Sequence, residues 1–333
     1  MKIDIVYTWV NGSDADWNKK RIETAGRLGN VLPEANNNAR FMDNDELKFS
    51  LRSIYKYAPW VNNIFIITDN QKPDWLNISH PKINIIDHKE IFSNPDWLPS
   101  FSARGIESQI HHIKKLSEHF IYFNDDMFLG SESKPEHFFT SKGKPYIFVS
   151  ESIPIPKKKA FDISKRSKDK LNEHQYAIVN SRSLIKEKFN KPVYYNIRHG
   201  SKPILKSALA ELENVFNNEL VKTAKNNFRT KDDILMIHLF SFYAIAKKLG
   251  KAKYLRSVSK KKKLGSYFSS ANKFTFGYIN LHEKNIETNL KYIKKNKPLL
   301  MCLNQTPLTP VENLKKIDLF LNEYYPEKSS FEL

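Results

Sequence analysis

Short apolar runs recur through the first 150 residues, and most are closed by polar turn residues. Ile3 to Val10 is a near-continuous β-rich run that stops at Asn11-Gly12. Ile64 to Thr68 stops at Asp69-Asn70, and Phe120 to Phe123 stops at Asn124-Asp125-Asp126. Ile83 to Ile86 and Tyr146 to Val149 add two more candidate strands. Between them the pattern turns helical. Leu47, Leu51, Ile54 and Ala58 share one face of a helix predicted over Asp45 to Ala58, with Asp43 and Glu46 placed as a capping box. Ile106, Ile110 and Ile113 form the apolar stripe of a second helix, Ala103 to Leu116, whose polar face carries Glu107 and His111. Strands alternating with helices predict an α/β fold around a mostly parallel sheet flanked by helices.

From about residue 151 the pattern is helix-rich. Leu205, Leu209, Leu212, Phe216 and Leu220 make one apolar stripe. Thr230 with Asp233 is placed to cap a helix running to about Leu249. Thr309-Pro310-Val311-Glu312 combines a capping box with proline at the first helical position, opening a last helix that ends near Tyr325-Pro326. Two basic stretches interrupt this half. Residues 157–170 hold seven Lys or Arg against two Asp and read as a loop or flap, and Lys251 to Lys263 is the second.

The chain has 333 residues, enough for one elaborated domain or two subdomains. Its single cysteine, Cys302, rules out an intrachain disulfide and suits a reducing compartment. The first ten residues lack a signal-peptide pattern. No run reaches the roughly 18 to 20 apolar residues of a membrane span, so the expectation is a soluble, cytoplasmic protein. The formal charge of +18 favours anionic partners, namely nucleic acid, an acidic membrane face, or an anionic polymer or nucleotide. Charge does not choose among them, and lysine enrichment is equally a solvated surface.

In a mostly parallel sheet ligands bind at the carboxyl ends of the strands. Three polar signals fall there: Asn11 to Asp14, Asp69-Asn70 and Asn124 to Asp126. A pure nucleic-acid binder leaves that coincidence unexplained, so nucleic acid is not an expected partner. Adjacent carboxylates at Asp125 and Asp126 suit a hard divalent cation, Mg²⁺ or Mn²⁺, that also takes phosphate oxygens; they are equally common turn residues. Tyr7 to Asp14 either holds a base or ribose or is a plain strand and turn. His199 lies just before a helix, as a general base or as a structural histidine. Arg229 precedes the predicted Thr230 cap, where it binds phosphate or forms a surface salt bridge. Glu107 and His111 face either a site or water. No Gly-rich phosphate loop, GxSxG, HExxH or CxxC is present, and nothing singles out Cys302 as a nucleophile.

These strings resemble the Stealth family of hexose-1-phosphate transferases, which includes bacterial capsule polymerases and the lysosomal-enzyme GlcNAc-1-phosphotransferase. The resemblance runs through four segments: Ile3 to Asp14; Arg40-Phe41-Met42-Asp43-Asn44-Asp45-Glu46-Leu47 through Tyr57-Ala58-Pro59-Trp60 to Phe123-Asn124-Asp125-Asp126-Met127-Phe128; His199 to Arg229 and Asp233; and Cys302-Leu303-Asn304 to Glu332. It implies a GT-A-like fold, with residues 1–150 binding nucleotide-sugar and metal and residues 151–333 completing the site and binding acceptor, as one catalytic domain. It implies a UDP-sugar donor, a Mg²⁺ or Mn²⁺ ion on Asp125 and Asp126, and a glycan or lipid-linked oligosaccharide acceptor. Catalytic roles carry over to His199, Arg229, Asp125, Asp4 and Glu107. Thr8, Trp9, Val10, Asn11, Gly12, Arg52, Asp69 and Asn304 are expected to hold the nucleotide-sugar. Gln305 stands where the family often has an acid. The basic stretches are then expected to meet an anionic polymer or the acidic inner membrane face. Little lies outside the four segments, so any acceptor-binding or chain-length-setting module is expected to be absent or on another protein.

Overall fold

The computed structural model describes residues 1–157, 160, 172–258 and 274–333. Most of the 157–170 stretch and the lysine-rich part of the second basic stretch lie outside them. In chain order the strands are β1 (Ile3–Thr8), β2 (Ile64–Thr68), β3 (Ile83–Asp87), β4 (His119–Asn124), β5 (Met127–Leu129), β6 (Tyr146–Val149), β7 (Lys202–Leu205), β8 (Lys251–Tyr254), β9 (Arg256–Ser257), β10 (Thr275–Asn280) and β11 (Leu300–Asn304). The main sheet has the order β3-β2-β1-β4-β7, parallel except for β7 at the edge.

The strands read as unbroken apolar runs because both faces of this sheet are dry. Side chains alternate across a strand. Ile5, Tyr7, Ile66, Ile121 and Phe123 therefore pack with Leu47, Leu51 and Ile54 of the Glu46–Tyr57 helix on one face. Val6, Phe65, Ile67, Phe120 and Tyr122 pack with Leu209, Leu212 and Phe240 from the C-terminal half on the other. The order 2-1-4 means that chain connections leave β1 in opposite directions, which opens a crevice at the carboxyl ends of β1 and β4.

A second sheet, order β5-β11-β10-β9, was not foreseen. It is covered by the Ile286–Asn296 and Val311–Tyr324 helices, through Ile293, Phe320 and Leu321 against Ile279 and Leu303. β6 forms where expected but pairs with β8 in a two-stranded sheet, outside the main one. Among the described residues the second half is thus helix-rich with five strands of its own.

Several local expectations shift. The predicted Ala103 to Leu116 helix stops at Glu107 and resumes only as a 3-10 turn, Ile110–His112. The break is stabilised by side chains competing for the backbone: Ser108 Oγ donates to Gly105 O (2.7 Å), and Gln109 Oε1 accepts from Ser93 N (3.1 Å). The Leu205 to Leu220 stripe bends at Phe216 into two helices, Lys206–Val215 and Asn217–Lys225. Asp233 does accept from Thr230 N and Oγ1 (2.8 Å each), but it closes a turn, and the helix begins at Met236. The Asp43–Glu46 box does not form: Asp45, at φ 63°, precedes the helix, and the Glu46 carboxylate turns back to accept from Asn44 Nδ2 (3.0 Å). Pro310 stands one residue before the last helix, and Thr309 Oγ1 accepts from Thr306 N.

Two expected site residues lie outside the crevice and are bonded into the frame. Asp4 sits at the amino end of β1, away from the crevice. Its carboxylate accepts from Asn62 Nδ2 (2.7 Å), Asn63 N (3.0 Å) and Ser117 N (2.7 Å), joining three segments below the sheet. Arg52 points away from the crevice. It donates two bonds to the Glu332 carboxylate (2.9 and 2.7 Å) and one to Tyr325 O (3.0 Å), pinning the C-terminal segment. The Glu332 side chain is only 4% exposed, so Arg52→Ala strands a largely buried charge. The expected result is a loss of about 3 kcal/mol in denaturant unfolding, with activity per folded molecule retained.

Candidate active site

The crevice at the ends of β1 and β4 opens into a cavity of about 750 Å³. Thr8 pairs with Asn124 in register, so the chain leaving each strand is brought to one place. Of the expected site residues, Thr8, Trp9, Val10, Asp69, Glu107, Asp125, Asp126, His199, Arg229 and Asn304 line this cavity. Asn11 and Gly12 are not among the lining residues and form the turn that follows β1. Asn11 N–H donates to Gln71 Oε1 (3.0 Å) and its carbonyl accepts from Gln71 Nε2 (3.0 Å). Gly12 N donates to Phe41 O (2.7 Å), and a Cβ there would fall 2.5 Å from that oxygen, so the position demands glycine. Asp69 is paired with Lys20.

One wall is acidic. β5 turns back immediately after Asp126 and pairs antiparallel with β11, setting Met127 opposite Cys302. Leu303 N donates to the Asp126 carbonyl (3.1 Å), and Cys302 Sγ to Asp126 Oδ2 (3.4 Å). Asp126 Oδ1 is buried without a hydrogen-bond partner. Burial raises Asp126 to about 7, and burial with Asp126, Glu46 and Asp43 nearby holds Asp125 well above the usual carboxylate range. Asp43 is lifted to about 6 by burial and by Glu46 and Asp45. These crowded carboxyls, with an orphaned oxygen among them, fit a divalent cation, and one donor atom each from Asp126, His199 and Cys302 lies within 4.8 Å of the others.

Another wall is cationic, and its sequence signal was scattered. Glu173, at the start of the Glu173–Phe189 helix, gathers three guanidiniums. Arg104 is salt-bridged to it, Arg40 Nη2 approaches at 2.9 Å and Arg229 Nη1 at 4.0 Å. Arg104 also bonds Asp233 (3.1 Å), which leaves three cations for two carboxylates, Arg229 the least engaged. Burial, then the charges of Arg40 and Arg104, lower Arg229 to about 10, with Glu173 and Glu107 opposing the shift. All three arginines line the cavity.

Between chain segments, Tyr122 OH donates to Glu107 Oε1 (3.0 Å) and lies 3.0 Å from Thr8 Oγ1. Burial raises Glu107 despite that bond. β7 brings Lys202 beside Tyr122 in register, and burial lowers the lysine to about 8. His199 is lowered to about 3 by burial, then by Lys202 and His174, so its imidazole is neutral. Sequence reasoning missed Lys202, Arg40, Arg104 and Glu173, and it set Cys302 aside. Arg40 and Cys302 stand in strings that carry the resemblance but were given no role there, and only pairing of β7 with β4 and of β11 with β5 brings Lys202 and Cys302 here. His111 is outside the cavity and faces Glu213.

Models of Stealth protein conserved region 1, conserved region 2 and conserved region 3 match residues 1–29, 40–147 and 198–246. A capsular polysaccharide phosphotransferase of Haemophilus influenzae is 34% identical over 334 residues, 97% of this chain and 84% of the relative. The chain belongs to the Stealth family. An exopolysaccharide phosphotransferase of Streptomyces coelicolor is 35% identical over 340 residues, 99% of this chain but 51% of the relative. Against several such relatives this Stealth chain spans about half their length. Among solved structures, the galactosyltransferase LgtC, in complex with donor and acceptor sugar analogs, superposes with a TM-score of 0.43 at 11% identity, covering 96% of this chain and 95% of that one. No helix among the described residues is long and apolar enough to cross a membrane.

Proposed function

We propose that this Stealth protein moves a hexose-1-phosphate from a UDP-sugar to a hydroxyl of a glycan or lipid-linked oligosaccharide, forming a phosphodiester and releasing UMP. The observation that carries the reading is one cavity with under-neutralised carboxyls on one wall and an under-neutralised guanidinium cluster on another. A pyrophosphate with its counter-cation complements both. Residues 1–150 and 151–333 act here as one catalytic domain, since both supply cavity side chains.

Phosphoryl transfer is mainly positioning and charge neutralisation. Asp125 and Asp126 would hold Mg²⁺ or Mn²⁺. Such an ion, when bound, neutralises pyrophosphate oxygens and the charge that develops on the leaving nucleotide. Arg229, loosely held by Glu173, turns its guanidinium to the transferred phosphate, while Arg104 and Arg40 stay anchored and keep it oriented. His199, neutral in the free protein, accepts the proton of the attacking hydroxyl. Glu107, fixed by Tyr122, orients the acceptor. Thr8, Trp9, Val10, Asp69 and Asn304 border the space for the nucleoside.

The test is product analysis with a panel of UDP-sugars, Mg²⁺ and a glycan acceptor. UMP with phosphorus retained in the glycan supports the reading and names the sugar. UDP with no phosphorus in the glycan means an ordinary glycosyl transfer and overturns it. Within the reading, Arg229→Lys keeps the charge but loses the planar fork. It should lower kcat about 10²-fold or more, the scale of one lost transition-state donor, in steady-state assays of released nucleotide.

A further inference from the structure

We infer that His111, His112 and Glu213 form a second metal site, outside the catalytic cavity, that takes a zinc-type divalent cation. This inference does not rest on the transfer reading. His111 and His112 belong to the Ile110–His112 turn just after Glu107, and Glu213 to the Lys206–Val215 helix that follows β7. Both imidazoles address one carboxylate oxygen: His111 Nε2 lies 2.9 Å and His112 Nε2 3.1 Å from Glu213 Oε2. One donor atom from each residue lies within 4.8 Å of the others.

Hydrogen-bond accounting points to a cation. His112 Nδ1 lies 2.7 Å from the Ile91 carbonyl, which only accepts, so Nδ1 carries a proton. A neutral ring then leaves Nε2 bare, its lone pair directed at a carboxylate oxygen. That contact is repulsive unless a cation stands between them, either a second proton or a metal ion. The backbone carbonyl on Nδ1 is the kind of outer partner that orients a ligating histidine. His111 Nδ1 is buried with no partner, which leaves Nε2 as the nitrogen with a polar neighbour. Two imidazole nitrogens and one carboxylate, with an open fourth position, match the ligand set of zinc. At bond lengths of about 2.0 to 2.1 Å in a tetrahedron, donor atoms sit about 3.3 Å apart, so the two nitrogen–oxygen distances need only a few tenths of an ångström of expansion, and the two nitrogens lie within 4.8 Å of each other. Entry is open, because the His112 and Glu213 side chains are 27% and 24% exposed while His111 is 2% exposed. The nearby cation, Lys206, is held off by bonds to Ile113 O (2.9 Å) and Leu116 O (3.4 Å). An ion here would staple the segment after Glu107 to the helix after Lys202.

The test is Zn²⁺ titration by calorimetry of full-length Asp126→Asn protein, so that the catalytic carboxyls do not compete, with Co²⁺ as a spectroscopic probe. The expected result is about one equivalent bound, tetrahedral Co²⁺ absorption bands, and a higher melting temperature with Zn²⁺. Adding Glu213→Gln should weaken Zn²⁺ at least tenfold, no less than the loss of an outer partner costs, and remove the Co²⁺ bands. His112→Asn is made in parallel, in case the glutamine variant fails to fold. No Zn²⁺ binding to the Asp126→Asn protein, or binding that neither variant weakens, overturns the inference. Either result leaves the transfer reading untouched.

Discussion

Asp126→Asn is expected to cut turnover by about 10³-fold or more, since it removes both a charge and a cation-binding oxygen at the reacting phosphates. Donor analogue binding should then lose its dependence on Mg²⁺. The same substitution has a signature independent of activity. Burial lifts the folded-state pKa of Asp126 from 3.8 to about 7. Below 3.8 the carboxyl is protonated both folded and unfolded, and the stability this favours is fully present. As pH rises toward 7 the unfolded chain ionises first, so folding loses free energy over that window. In chelator, Asp126→Asn should therefore be more heat-stable than the parent at pH 8, with the difference shrinking toward pH 4. His174 and His199 are common to both proteins, while Asp125, which the Asp126 charge helps to hold up, is relieved in the variant and adds to the difference in the same direction. A constant difference across pH would mean that Asp126 is not a buried, cation-starved carboxyl.

His199→Ala is the second large effect. On the proposed reading it removes the proton acceptor, which is worth about 10²- to 10⁴-fold in kcat. UDP-sugar affinity, measured by calorimetry, should stay within about threefold of the parent, because the ring is assigned to the acceptor side. Unchanged turnover would remove that role from His199. A large loss of donor affinity instead would reassign it to the nucleotide or the cation, whose proposed ligand Asp126 is its close neighbour.

The apolar runs of β1, β2 and β4 were legible because each is buried on both faces, the edge strand β3 is partly buried but equally apolar, and the turns that end them are local chemistry. Asp125, Asp126 and Asp69 were found for the same reason: they follow strands at the end where such sheets bind ligands. His199, Glu107 and Arg229 were residue-level candidates with open alternatives to which the resemblance to the Stealth family gave roles, and all three line the cavity; Asp4 and Arg52, which rested on the resemblance alone, do not. Asp4 and Arg52 look alike in sequence to site residues, being charged and embedded in the same strings. Their burial against Asn62, Ser117 and Glu332 shows that they hold the frame.

Helix boundaries were less legible, because side chains such as Ser108 and Gln109 compete for backbone groups in ways that apolar periodicity does not report. The second sheet was missed because β5 and β9 are three and two residues long, too short to show a period.

The sequence by itself determined the α/β alternation, the mostly parallel sheet and the strand-end carboxyls, since each follows from local periodicity and turn chemistry. Only the tertiary structure decided which charges share a cavity. Arg40, Arg104, Glu173 and Arg229 are up to 189 positions apart in the chain (229 minus 40), and Lys202 and Cys302 arrive on strands whose neighbours are set by long-range pairing. A charge becomes functional through what is left unpaired around it, and that balance exists only once the chain has brought distant groups into one low-dielectric space.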